Sequence, residues 1–459
     1  MRGLRSTIAL VVVLAGLGAY IYFVTWKQPD TPDTGKKLEK VFTVASDKIN
    51  EIKITSASGE ATAAKKDGAT WKLTEPVSAA ADESEVSSIA NTLASADIVR
   101  VVDENPSNLI DYGLSNPHVA LAFKADGDKD YRRLFLGEKT PTGSDVFARR
   151  NDDKKVFLIA AYQDTSLNKS TFDLRDKNIL KVDRDKIDGL DVTAGAGRLA
   201  IAKDGGDWKL KSAVAPEGKG PRSVDIRADY GTVEGLIGRL QTARMKSIVT
   251  ENPSAADLKK YGLDKPQATV NLNTGSAKAT LLIGGKSDDT SVYARDASKP
   301  MVVTVESSLL DELKKGPDDY RRKDLFEFRP YNASHVEITH NGQTVVFDRV
   351  KSAKEGTPDK WHRVSPNAGD VDKDKFDAFV GRIANMRADK FVPSAAGTGL
   401  DKPAMTVVVK FDDGKKEERV TFGQSGQDVY AARPGEPGAA KTDAADFNES
   451  LKSLDELSK

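Results

Sequence analysis

The sequence predicts an α+β protein: an N-terminal transmembrane helix followed by three tandem modules, each an antiparallel sheet with one main amphipathic helix. Three observations lead there. An uncharged apolar run occupies residues 7–24. Four short landmarks then recur three times in the same order. Between them, apolar residues fall at helical spacing once per copy and at alternate positions elsewhere.

The apolar run, Thr7–Val24, reads TIALVVVLAGLGAYIYFV. At about 1.5 Å rise per residue it spans roughly 27 Å, close to the hydrocarbon thickness of a bilayer. Tyr20, Tyr22, Phe23 and Trp26 gather at its far end, as an interfacial aromatic belt would. Arg2 and Arg5 precede it without an acidic residue. The positive-inside bias therefore predicts residues 1–6 in the cytoplasm and the bulk of the chain outside, held on a single-pass inner-membrane anchor. No small-x-small cleavage site follows the run, so an uncleaved signal-anchor is expected rather than a removed signal peptide. Residues 25–40 carry two prolines, a glycine and many charges, and read as a solvated linker.

The landmarks define the modules. A Trp strand recurs as Thr70-Trp71-Lys72-Leu73, Asp207-Trp208-Lys209-Leu210 and Lys360-Trp361-His362-Arg363. A loop recurs as Tyr112-Gly113-Leu114-Ser115-Asn116-Pro117, Tyr261-Gly262-Leu263-Asp264-Lys265-Pro266 and, without the Tyr, Gly399-Leu400-Asp401-Lys402-Pro403. Strands ending in Gly137, Gly284 and Gly423 come next, then Val146-Phe147-Ala148-Arg149, Val292-Tyr293-Ala294-Arg295 and Val429-Tyr430-Ala431-Ala432-Arg433. Leu174-Arg175-Asp176-Lys177 and Tyr320-Arg321-Arg322-Lys323 mark the junctions. The expected modules are 41–173, 174–324 and 325–459.

After each Trp strand an amphipathic helix is predicted. Asp82 and Glu85 form a capping-box pair before Val86, Ile89, Ala90 and Leu93. Val233, Leu236, Ile237 and Leu240 keep the spacing, as do Phe376, Phe379, Val380 and Ile383. After each Gly-Leu loop the pattern changes to alternation, as in Val119, Leu121 and Phe123, or Val270 and Leu272.

Composition excludes several chemistries. The 459 residues include no Cys, so disulfides, thiolate metal sites, Cys nucleophiles and a lipidated-Cys anchor are all ruled out. Lys plus Arg and Asp plus Glu are 69 each, which removes the basic excess usual for a nucleic-acid binder. Gly284-Gly285-Lys286-Ser287 resembles the end of a P-loop, but Thr280 stands where that motif needs Gly, and a turn after a strand is expected. Asp126-Gly127-Asp128-Lys129-Asp130 fails as a calcium loop at Tyr131 and Gly137, and reads as a hairpin turn. Asp370, Asp372 and Asp374 are expected to cap the third helix. The four histidines, His118, His335, His340 and His362, show no metal-ligand spacing. Trp71, Trp208 and Trp361 are expected in the core, where exposure would instead favour a ligand platform. No catalytic, cofactor-binding or metal-ligating residue is assigned, and no cofactor is expected.

The ordered landmarks behind an N-terminal anchor resemble the bacterial family DUF4340 over essentially the whole region after the linker. The resemblance implies an envelope protein of the kind often encoded beside ABC-type transport systems similar to those linked to gliding motility. It implies an accessory role and brings no catalytic residues. The expected function is a non-enzymatic, membrane-anchored accessory or scaffold protein with protein partners. An extracytoplasmic ligand- or glycan-binding module and a hydrolase are the alternatives.

Overall fold

The computed structural model describes residues 38–151, 153–214, 222–352 and 359–458. The expected transmembrane helix at 7–24 and most of the linker lie outside them, and no described helix is long and apolar enough to cross a membrane. The chain divides into two compact units, one ending at Lys177 and one beginning at Asn178.

Three nine-stranded antiparallel sheets follow one another along the described chain. Counting strands in chain order within each sheet, the order across it is 4-3-2-1-6-7-8-9-5 in all three. In the first, Ile49–Thr55, Ala61–Asp67, Thr70–Glu75 and Ala79–Ala80 run outward as successive hairpins. Helix α1 (Glu83–Ser95) then carries the chain across to the opposite edge, where Arg100–Asp103 pairs with Val156–Ala160. Val119–Ala125 returns to the centre beside the first strand, and three further strands fill the gap. Helices α2 (Tyr230–Thr242) and α3 (Lys373–Ala384) make the same crossing in the second and third sheets.

The periodicities put the expected residues inside. Val86, Ile89, Ala90 and Leu93 of α1, their counterparts in α2, and Phe376, Phe379, Val380 and Ile383 of α3 are buried. Beneath them lie alternate strand residues, among them Ile52 and Ile54, Leu190 and Val192, Val336 and Ile338. Each helix starts on an aspartate whose carboxylate accepts from free N–H groups of the first turn: Asp82, Asp229 and Asp372. The Asp82–Glu85 capping box forms only by half. The Asp82 N–H donates instead to the carbonyl of Leu174 at 2.8 Å, tying the helix start to the end of the module.

Two further expectations are corrected. The third module carries a second long helix, α4 (Ala444–Ser458), which buries Phe447, Leu454 and Leu457 and packs on α3. At the same place the earlier modules have only seven-residue helices, Ala161–Leu167 and Ser307–Leu313. The Gly-Lys segments are not turns after strands. Gly137–Lys139, Gly284–Ser287 and Gly423–Ser425 lie within strands Arg132–Lys139, Ala277–Asp288 and Lys416–Ser425. The glycines are required because a Cβ there would run into the Tyr112 carbonyl, the Tyr261 carbonyl, or the backbone from Thr398 to Leu400. The Tyr-Gly-Leu loop presses on the strand at that point, with Gly113, Gly262 and Gly399 at φ of 67°, 68° and 76°.

Within the unit from Asn178 onward, the second and third sheets are joined by charge. Glu436 accepts from Arg227 Nε at 2.7 Å and from an Arg321 Nη at 3.3 Å. Arg433 pairs with Glu418 at 2.8 Å, and Glu418 also accepts the backbone N–H groups of Glu327 and Phe328. The Arg321 guanidinium lies 3.8 Å from the centroid of the Phe391 ring. Burial pushes the Glu436 carboxyl up, but Arg227, Arg321 and Arg433 outweigh it and hold the group below the usual range.

Candidate functional site

Most side chains singled out by the sequence are used to hold the fold. Trp71, Trp208 and Trp361 are 3%, 2% and 8% exposed, so none offers an open ring face as a platform. Each sits opposite a cation on the neighbouring strand, in register: Lys66, Lys203 and Arg349. Those cations lie 5.5, 5.0 and 5.5 Å from the ring centroids. A core-facing indole roofed by a long cation is thus a repeated device. Strand register makes it, and register is not visible in sequence spacing.

The histidines are scattered. His118 Nε2 lies 2.7 Å from Asp164, and His335 Nδ1 lies 2.6 Å from Asp348. His340 Nδ1 donates to the Ala404 carbonyl at 2.6 Å, and His362 pairs with Asp370 at 2.9 Å. Among the described residues no group of three His, Cys, Asp or Glu side chains could hold a metal ion. Asp126–Asp130 forms the turn between Val119–Ala125 and Arg132–Lys139, with Asp128 bound to Arg132 at 2.9 Å. Of the three aspartates expected to cap α3, Asp372 does so, Asp374 lies in the first turn, and Asp370 belongs to a two-residue strand.

One feature with the form of a ligand site lies in the third module, against Trp361. It is a pocket of about 650 Å³, within the size range of small-molecule sites. Tyr331 stands at its rim, 77% exposed. Three cations, Arg349, Lys360 and Lys373, line it with three carboxylates, Asp359, Asp370 and Asp377. Arg349 is pinned by hydrogen bonds to the carbonyls of Tyr331 and Ala333. Its Nε–H is buried and meets no acceptor among the described residues; the nearest carboxylate oxygen, on Asp359, is 3.9 Å away. Trp361 was legible as a landmark. Its polar neighbours were not, because they come from the ends of three strands, a loop and a helix brought together only by the sheet.

The second module shows how that position is otherwise used. Trp208 donates its indole N–H to Glu234 at 3.0 Å, and Arg184 closes on Glu234 at 2.8 Å. The matching residue of α3, five after the capping aspartate, is Asp377, one methylene shorter and paired with Lys373 at 2.9 Å.

Comparison with known proteins gives one family. The model described as Domain of unknown function (DUF4340) matches residues 71–223 and 219–398. No curated protein matches the chain. Among solved structures, a DNA polymerase sliding clamp from Pseudomonas aeruginosa aligns at 9% identity over 89% of this chain and 93% of its own, with a TM-score of 0.18. A chain described as a DNA polymerase III beta subunit, from Eubacterium rectale, aligns at 9% identity with the same coverages and a TM-score of 0.15. At those scores neither bears on fold or function.

Proposed function

The chain belongs to the DUF4340 family, and from that membership we propose that it is a non-enzymatic accessory or scaffold protein of the cell envelope. In this reading residues 7–24 anchor it in the cytoplasmic membrane, the three modules stand outside, and it acts by contact with protein partners, an ABC-type transport system being the partner class expected. The observation that carries the reading is how the recurring residues are used. The Trp rings fill cores, the strand glycines admit a loop backbone, and the junction arginines of the second and third modules join one sheet to the next. What is repeated is packing. A membrane tether adds to this by raising the effective concentration of partners held in the same plane.

The test separates tethering from chemistry. In a deletion strain, the full chain and a chain whose residues 1–37 are replaced by an unrelated single-pass anchor should both restore the wild-type phenotype. A soluble, exported chain without an anchor should not. Full restoration by the anchor-free chain overturns the reading. An export-dependent reporter fused after Lys459 should be active in the same strain, and its silence would overturn the topology.

A further inference from the structure

We infer that the pocket beside Trp361 is a binding site for a neutral, polyhydroxylated ligand, a saccharide in chemical class. The inference stands on the pocket itself and does not depend on the anchor or the scaffold role.

Charge comes first. Three cations and three carboxylates line one cavity, so a ligand with a net charge of either sign meets as many repelling as attracting groups. A neutral ligand that both donates and accepts hydrogen bonds can use all six. Saccharide hydroxyls do both. One of the carboxylates is also free to exchange partners. The Asp370 side chain is 90% exposed and pairs with the partly exposed His362. Arg349 keeps a buried Nε–H without an acceptor among the described residues, which a ligand oxygen would satisfy.

Shape comes second. Sugar rings carry an apolar C–H face, and a protein reads that face with an aromatic ring. Tyr331 supplies one at the rim, 77% exposed. In the other two modules the positions corresponding to Tyr331, five before the equivalent central-strand residues Ile52, Leu190 and Val336, are Asp47 and Asp185. Asp370 corresponds by register to Ala80. The aromatic rim and this carboxylate therefore belong to the third module and are not imposed by the repeated fold.

The experiment is calorimetric titration of the full chain, in a detergent without a sugar headgroup, against trimers of N-acetylglucosamine and of glucose. Trimers of a hexuronic acid and of glucosamine serve as anionic and cationic controls. Saturable binding of a neutral trimer with Kd below about 1 mM is expected, with both charged trimers at least about tenfold weaker. Tyr331→Ala should weaken binding about tenfold or more. Asp370→Asn, which keeps shape and loses charge, should weaken it less. Both side chains are largely exposed, and unchanged thermal unfolding of the variants will show that the fold is kept. Failure of both neutral trimers to saturate overturns the assignment. So does tighter binding of a charged trimer, and so does an unaltered Kd in Tyr331→Ala.

Discussion

In the second module Tyr261 of the Gly-Leu loop packs at a tilt against Tyr293, ring centroids 4.5 Å apart, and Trp208 gives its N–H to Glu234. In the third, Thr398 stands where the loop tyrosine would be, and Tyr430 of the matching strand turns its hydroxyl to Asp428. Trp361 borders a pocket, while the carboxylate matching Glu234 is committed to a lysine. The strand order is nonetheless the same. What the sheet geometry requires, a Trp over the helix and a Gly under the loop, is retained in both. What merely surrounds those positions differs between the two modules.

The strongest way to break that comparison is to empty the two Trp positions. Trp208→Ala should cost about 3–5 kcal/mol, because a fully enclosed ring leaves a cavity that cannot collapse. Trp361→Ala should cost less, about 3 kcal/mol, since the side chain lines a pocket. Urea midpoints followed by circular dichroism measure both, and equal losses would show that the two settings do not differ. Next come the glycines. Gly284→Ala and Gly423→Ala should each cost about 3 kcal/mol by driving a methyl into loop backbone, and a much smaller cost for Gly423→Ala would mean that the tyrosine-free loop yields more easily.

Removing the joint between the two modules ranks third. Glu436→Gln should cost about 2 kcal/mol at neutral pH. Its carboxyl titrates below its ordinary value in the folded chain. The stability it contributes is therefore fully present above the unfolded-state value of 4.5, and is lost as pH falls through the still lower folded value. A plot of urea midpoint against pH should fall less steeply below pH 4.5 in Glu436→Gln than in the parent, and parallel curves would remove Glu436 from the joint. The smallest effect is expected for Glu234→Gln, about 1 kcal/mol, through the weakened acceptor for Trp208; Asp377→Asn in the third module should leave Trp361 emission unchanged.

The repeats were legible because Trp, Gly and Pro occupy positions where few alternatives fit, and four such positions in one order outlast divergence. Core faces were legible from period alone: every residue named for the three crossing helices is buried. Short edge strands were not. Ala79–Ala80 and Gly369–Asp370 are two residues long, too short to show alternation. Helix α4 was missed because Phe447, Leu454 and Leu457 are diluted by charge, and only packing on α3 decides that segment. Arg175 and Arg321 read only as junction landmarks, and each proves to be 7% exposed. A buried arginine is recognised by its partners, and for Arg321 the largely buried carboxylate, Glu436, is 115 residues away along the chain. The pocket shared that fate, since its lining runs from Tyr331 to Asp377.

The strand order also governs how such a chain is made. The first strand of each sheet lies at its centre, with Ile52 opposite Phe123, Leu190 opposite Leu272 and Val336 opposite Val409. During synthesis the four leading strands can pair as hairpins at once, yet the first keeps one flank open until the chain has crossed the sheet and come back. For that interval a strand with a buried apolar face presents unpaired backbone to any similar strand nearby, and three modules repeat the exposure in turn. A nascent chain of this design depends on folding each module before the next emerges, or on a holding factor that shields the open flank until the sixth strand arrives.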